Sequence, residues 1–529
     1  MEEIKPYINK YKFWFLFFFV YVIGLFTHGT EIFNTTYFHD ALFLNDTGVT
    51  YTSGRWLIAG LHKLEVALLG SHINVKAFIG VFTFFFITVI CFLIAQQLRI
   101  EKPGSLILLS AIVVTFPFVT SLFGYAFTAI YYYISMLLAL EGAVLMKDAL
   151  PLRKKWWHVF LGATLLGLAM SIYQTSLCMF AAFLTLLAIR ETLDQEDEAW
   201  SHFFGRCGAY LCGAITGCIG YLVVNKVVLM IRGMQLSGYK GINEMGKIHP
   251  VLLIKRAIYA YKEFLLPARD QSSCLFRSTA GIWCYRFILL SILAASILLL
   301  VRALQKKRHR KALQLCMLLA VMPLATKSIF LTTQPDWIYE LMVFSDIMIF
   351  ALLLMFCEHI CDFHLPVISA KRWITGITAV LLAFSCIHFA YIANIGYTKA
   401  SILQENSIAY FNRLAARIQL LDGYSTEYPV AYINEKDKNP EQLSIPELDN
   451  IRLYTPYNLL AKKHMNDADW KVYMDQWCGF AHVEVSPDKL AELTASEAVA
   501  QMSCYPNAGS IAIIDGVIVV KFEENLPPQ

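Results

Sequence analysis

The sequence predicts an all-α polytopic membrane protein of about eleven transmembrane helices with a small extracytoplasmic α+β C-terminal domain. Three observations predict it. The mean hydropathy is +0.52. Hydrophobic residues make up 57% of the chain and charged residues only 16%, where a soluble domain carries roughly a quarter. Apolar runs of spanning length then recur along most of the sequence, and Lys and Arg gather in alternate short loops between them. A net charge of +4 over 529 residues leaves no electrostatic footprint for nucleic acid.

The first run follows Lys5, Lys10 and Lys12 and covers residues 13–26; no small-residue cleavage motif follows, so it reads as an uncleaved first span. Further runs lie at 75–98, 105–123, 125–146, 157–172, 175–189, 203–231, 282–303, 312–331, 337–357 and 374–395. Orientation follows from the basic residues. With a cytosolic N-terminus, inside loops hold Arg99, Lys102, Lys147, Arg153, Lys154, Lys155, the cluster Lys306, Lys307, Arg308, Arg310 and Lys311, and then Lys371 and Arg372. The outside turns near Gly124, Gln174 and Gln334 have none. A multi-pass protein of the cell membrane follows, with loops 28–74 and 232–281 and everything after 395 on the outer face.

The division is therefore 1–395 for the membrane region and 396–529 for the outer domain. In the latter, residues 401–421 show helical apolar spacing, and two apolar β-type runs, 511–514 and 517–522, flank Asp515-Gly516, a tight-hairpin signature. Thirteen cysteines are scattered without metal-site spacing; Cys478 and Cys504 are two small hydrophobes or, in an exported domain, a disulfide. No repeat relates two halves of the membrane region.

The first outer loop is the most distinctive segment. It begins polar, with His39, Asp40, Asn45 and Asp46, and ends in an amphipathic run in which Trp56, Leu57, Leu61, Leu64 and Leu68 oppose Arg55, His62, Lys63 and Glu65. Such a helix suits the lipid–water boundary. The order aromatic-His39-Asp40, a Gly-containing stretch and then Ser53-Gly54-Arg55-Trp56 resembles the bacterial Gtr glucosyltransferases of type II, and the segment Ser171-Ile172-Tyr173-Gln174 agrees more loosely. That family resembles the GT-C class of membrane glycosyltransferases. The resemblance implies a GT-C-like helical fold and transfer of a sugar, glucose by analogy, from a polyprenyl-phosphate carrier to a cell-surface glycan such as an O-antigen or cell-wall polysaccharide. It also implies an acidic base in the first outer loop. Where the family often shows two adjacent acids, this chain has Asp40 followed by Ala41, so Asp40 maps onto the first and Asp46 is the second candidate.

The chemistry fits those residues. An acceptor hydroxyl attacking an anomeric carbon must lose a proton, which a carboxylate can take for roughly 10²–10⁴-fold in rate. The departing lipid phosphate calls for cations, and the planar fork of Arg55 can bind two of its oxygens; the same arginine is equally suited to anchoring the loop to phospholipid headgroups. His39 is either an acid/base partner of Asp40 or a packed histidine, and Asp46 in Asn45-Asp46-Thr47-Gly48 also has the chemistry of an ordinary turn.

Charges within spans each ask for a reason. Lys226 and Lys327, near the outer ends of their runs, either face a phosphate or snorkel to the headgroups. Asp346, near the middle of 337–357, is protonated, paired with a lysine or lining a cavity; Asp336, Glu340 and Gln334 at the mouth of that run are read as solvated. Tyr131, Tyr132 and Gln174 are sensible sugar contacts on the outer side, although an aromatic belt accounts for any single one of them as well. The segment 232–281 is rich in Lys and Arg, including Lys240, Lys247, Arg256, Arg269 and Arg277, and 251–266 reads as a second interfacial helix with a solvated basic face. No paired metal-ligand motif appears, so no cofactor is assigned; a divalent metal stays open but without support in the sequence. The partners implied are the lipid-linked donor, the glycan acceptor, membrane lipid, a donor synthase and a flippase. A transporter or flippase of lipid-linked saccharides, and a polysaccharide polymerase or ligase, are the competing functions; transporters commonly carry duplicated halves, which this chain lacks.

Overall fold

In a computed structural model, the described residues are 10–34, 36–149, 152–238, 250–269, 271–361, 368–434, 445–461 and 470–524. The chain is mostly helical and divides into two compact units. The first contains Met1–Thr35, Phe43–Asn394 and Leu453–Thr455; the second contains Thr36–Leu42, Ile395–Arg452 and Pro456–Gln529.

The helices of the first unit are α1 (Lys12–Phe33), α2 (Trp56–Leu69), α3 (Lys76–Gln97), α4 (Pro103–Thr115), α5 (Pro117–Gly124), α6 (Ala129–Asp148), α7 (Leu152–Met170), α8 (Ser176–Asp194), α9 (Trp200–Arg232), α10 (Pro250–Leu265), α11 (Thr279–Gln305), α12 (His309–Thr326), the short α13 (Ile329–Thr332) and α14 (Ile347–Cys361). A fifteenth, α15 (Ile368–Gln419), contributes its first part to this unit and the remainder to the second. Among the described residues, nine helical stretches are long and apolar enough to cross a membrane. Two further expected runs are helical as well. The apolar part of α7, Trp156–Met170, is short, and α12 opens on His309, Arg310 and Lys311.

Local chemistry sets the ends of these helices. Pro117 divides the run 105–123 into α4 and α5, because it lacks an N–H and pushes Phe116 to an extended ψ of 140°. Ser278 caps α11 by accepting from Gly281 N at 3.0 Å. Buried hydroxyls bond back one turn, as Thr88 does to Phe84 O and Thr115 to Ala111 O, both at 2.8 Å. Each such bond satisfies a hydroxyl within its own helix. Outward faces are apolar: Phe18 and Phe26 on α1, Leu211, Ile219 and Leu222 on α9, and Trp283, Phe287 and Leu290 on α11 are all exposed. A continuous surface of this kind requires hydrocarbon around it.

One expected span is built differently. Residues 337–357 are not a single helix: three 3-10 turns, Pro335–Trp337, Glu340–Met342 and Phe344–Asp346, precede α14. Asp346 thus stands at a helix entrance and not in mid-span. The Ser345 hydroxyl donates to Thr326 O at 2.6 Å, and such local bonds replace the helical ladder where the backbone is enclosed by protein.

Glycines set the spacing of α6, α7 and α9. A Cβ at Gly162 would stand 2.6 Å from the Gly142 carbonyl oxygen, and one at Gly217 would stand 2.7 Å from that of Ala163. Backbones this close are the usual way helices pack without hydrophobic driving force in lipid.

The second unit holds a three-stranded sheet of order β1 (Val430–Ile433), β3 (Val517–Lys521), β2 (Ile511–Ile514). Strand β1 is parallel to β3, and β2 is antiparallel to it. The hairpin forms where expected, with Asp515 at φ 50° and Gly516 at φ 73° as a two-residue turn demands. The expected helix at 401–421 exists as the far end of α15. Ala431, Ile433, Leu493, Val499, Val517 and Val519 form the core of this unit. Cys478 and Cys504 are not bonded to each other.

Gly162→Ala should destabilise the purified protein by about 1–3 kcal/mol through this crossing. Gly208→Ala, with nothing near its Cβ, should change stability by no more than about 0.5 kcal/mol. Thermal unfolding in detergent compares the two.

Candidate active site

The Ser53-Gly54-Arg55-Trp56 segment and the Ser171–Gln174 turn, far apart in sequence, meet in the first unit. Gly54 has φ 75° and closes a 3-10 turn, Tyr51–Ser53. A Cβ there would lie 2.2 Å from the Tyr221 hydroxyl and 3.1 Å from Gln174 Nε2, so both backbone conformation and crowding require glycine. Gln174 donates from Nε2 to the Ser53 carbonyl and to Tyr221 Oη, the latter at 3.1 Å. Leu57 N donates to Ser171 O at 3.2 Å, joining the first turn of α2 to the 171–174 turn. From the other side, Ser237 N donates to Thr52 O at 2.8 Å, and the Arg232 guanidinium lies 4.6 Å from the centre of the Tyr51 ring.

The effect is to aim Arg55. Tyr132 and Tyr173 stack with centroids 4.1 Å apart and planes 10° from parallel. The Arg55 guanidinium rests 5.7 Å and 5.5 Å from the two ring centres. Tyr221 and Tyr339 are within electrostatic range of it, and Tyr173 Oη is anchored to Leu341 O at 2.8 Å. Among the described residues no carboxylate pairs with Arg55, and its buried Nε has no hydrogen-bond partner. A guanidinium on aromatic faces with its fork unclaimed suits a bidentate anion. Trp56 and Tyr221, which flank it, also line an apolar groove of about 260 Å³ between α7 and α9, together with Phe160, Gly167, Gly217 and Val224.

The other expected residues have varied settings. Lys327 and Asp346 are both buried and form an ion pair at 2.5 Å, the paired state among those open to Asp346. Buried Glu263 on α10 is nearby, and burial pushes its carboxyl above the usual value against the pull of Lys327. Lys226 is exposed on α9 among Val223, Val224 and Val227, the position of a snorkelling lysine. Tyr131 is buried and donates to Glu65. The Asp46 carboxylate accepts from Gly48 N at 2.8 Å and closes its own turn.

Asp40 belongs to the second unit, on a 3-10 turn, His39–Leu42, and it is exposed. Its neighbours fix that turn. Tyr37 N donates to Gln404 Oε1 at 2.7 Å, Tyr473 Oη donates to Tyr37 O, and Phe38 packs 5.3 Å from the Tyr457 ring. The His39 side chain, like Lys240 and Lys247, lies outside the described residues.

Two readings need correction. Glu340 is not solvated: it is fully buried and ion-paired with Arg277, itself buried and 5.2 Å from the Tyr454 ring. Arg277 is therefore no part of a solvated basic face. The cause is the broken helix at 335–346, which turns Glu340 inward. Sequence reasoning also passed over Tyr221 and Tyr339, whose only signal is a polar-tipped ring within or beside an apolar run.

The fold and this site define a helical membrane protein with a cation, unpaired among the described residues, close to an apolar groove. The chain belongs to a family described as glucosyl transferase GtrII, whose profile matches residues 29–350, more than half of its length. No curated protein and no solved structure gives a significant match.

Removing one member of the buried Lys327–Asp346 pair, as in Asp346→Asn or Lys327→Met, should cost about 3–5 kcal/mol, and the double replacement Lys327→Met/Asp346→Leu distinctly less, because no lone charge then remains. Thermal unfolding of the three variants in detergent checks the order.

Proposed function

We propose that this protein transfers a glucosyl unit from a polyprenyl-phosphate carrier to a cell-envelope polysaccharide on the outer face of the membrane. The observation that carries this reading is Arg55: a guanidinium aimed by glycine, glutamine and stacked tyrosines, unpaired among the described residues, and next in the chain to Trp56, which lines an apolar groove. A donor that is half phosphate and half hydrocarbon asks for that combination. Membership of a glucosyltransferase family supports the sugar and the reaction class.

The proposed reaction is a direct displacement. The acceptor oxygen bonds to the anomeric carbon on the face opposite the phosphate as the carbon–oxygen bond to phosphate breaks. The bonding pair leaves with the polyprenyl phosphate, where Arg55 meets the added charge. Attraction at contact distance is worth roughly 4 kcal/mol at an effective dielectric near 20. Asp40 takes the acceptor's proton, and the configuration inverts without a covalent intermediate. Exposure of Asp40 on an anchored turn supports its access to a glycan hydroxyl.

Purified full-length protein in nanodiscs, given polyprenyl-phosphate glucose with and without acceptor glycan, should release lipid phosphate only when acceptor is present. Asp40→Asn should keep donor binding and lose about 10²–10⁴-fold in turnover. Arg55→Gln should raise the donor KM by at least 10-fold, roughly 1.4 kcal/mol, and Arg55→Lys should recover part of it, since a point charge cannot bind two oxygens at once. Unchanged turnover in Asp40→Asn removes the assigned base; movement of the lipid-linked sugar across the bilayer without transfer removes the enzyme.

A further inference from the structure

Away from Arg55, the far half of α2 holds a cluster that the transfer reaction does not use. His62 and Glu65 stand three residues apart, on one face of the helix. Gly70 ends the helix in a left-handed conformation at φ 81° and returns the chain so that His72 comes beside them. One ligand-type atom from each of the three residues lies within 4.8 Å of the others. The His62 and His72 rings meet edge to face with centroids 5.0 Å apart.

With both histidines neutral, the hydrogen bonds at this cluster leave ring nitrogens unmet. His72 Nε2 is 2.8 Å from the Asp46 carbonyl oxygen, which can only accept, so Nε2 carries the hydrogen. In a neutral imidazole Nδ1 is then a bare lone pair, and it faces Glu65 Oε1 at 3.0 Å: acceptor against acceptor. The other Glu65 oxygen is already held by the Tyr131 hydroxyl. His62 Nδ1 is buried with no hydrogen-bond partner. A second proton on His72 would satisfy one contact and leave His62 as it is, whereas a metal ion engages all three residues.

We propose that His62, Glu65 and His72 form a binding site for a divalent transition-metal ion of the zinc class, with water at the remaining position. Two imidazoles and one carboxylate are the donor set of such ions. Metal–ligand bonds of about 2.0–2.2 Å separate tetrahedral donors by about 3.3 Å, near the 3.0 Å between His72 Nδ1 and Glu65 Oε1. The outer partners conform as well: the Asp46 carbonyl fixes the tautomer of His72, and the Tyr131 hydroxyl orients Glu65, the supporting shell that metal ligands require. The ion fastens the end of α2 to the Asp46 turn and to α6, and so holds in place the helix that begins next to Arg55.

The test reads metal and not activity. Full-length protein in detergent, with any histidine tag removed, is stripped with chelator, loaded with zinc or cobalt(II) and desalted. Elemental analysis should find about one ion per chain, and cobalt should give the visible absorption of a tetrahedral nitrogen–oxygen site. His62→Ala and His72→Ala should each lose the ion, Tyr131→Phe should weaken binding about 10–100-fold, and His482→Ala, in the second unit, should keep it. Wild-type protein that retains no more metal than the His62→Ala/His72→Ala double variant overturns the proposal, and so does undiminished binding in Tyr131→Phe together with His72→Ala. If the histidine variants do not fold, the wild-type loading and Tyr131→Phe decide.

Discussion

The close approach of the Tyr221 hydroxyl to Gly54 is the contact on which the rest of the candidate site depends. Only a residue without a Cβ, in a left-handed conformation, lets that hydroxyl and Gln174 reach the backbone at this turn. Once they do, the Ser53 carbonyl is held, α2 starts against Ser171, and Arg55 rests over the Tyr132–Tyr173 stack. A motif of four residues thereby turns a mobile kind of side chain into a fixed cation. Its partners come from the loop after α1, from α6, from the turn after α7 and from α9, so the site is a property of the assembled unit and of no single helix.

Charge inside the first unit is used in two ways. Lys327 with Asp346, Arg277 with Glu340, and Lys76 with Glu31 are buried pairs whose partners sit on different elements. Each is costly to break and so fixes which elements are neighbours. Two of these pairs lie along the broken stretch 327–346, where ordinary helical bonds are missing and the backbone needs other support. Arg55 differs from them: aromatic faces and not a carboxylate compensate it, which leaves its hydrogen-bonding fork for a ligand.

Much of this architecture was legible from periodicity and composition. Runs of apolar residues located the spans because the membrane permits only helices with all backbone groups satisfied, and the Asp515-Gly516 turn was readable because few residue pairs adopt its backbone angles. The motif residues Arg55, Tyr132 and Gln174 were recognisable as site candidates, and they come together. Less was legible where partners are distant in sequence. Nothing local distinguishes Glu340, which meets Arg277, from a solvated acid at a helix mouth, and apolar content alone hid the break before α14. The parallel strand β1 went unnoticed because four residues carry too little alternation. Asp40 illustrates a further limit. Its loop position was plain, but its anchoring by Tyr473 and Gln404 joins residues more than three hundred positions apart.

The glycines between α7 and α9 have a consequence for how the protein can change. Gly167 and Gly217 both set the distance between those helices and form the wall of the groove beside Trp56. Widening or narrowing that channel means moving two membrane helices, which in turn shifts Tyr221 against Gly54. The calibre of the groove is thus tied to the packing of the bundle. A side chain added at either glycine would therefore be felt both along the groove and at the Arg55 turn.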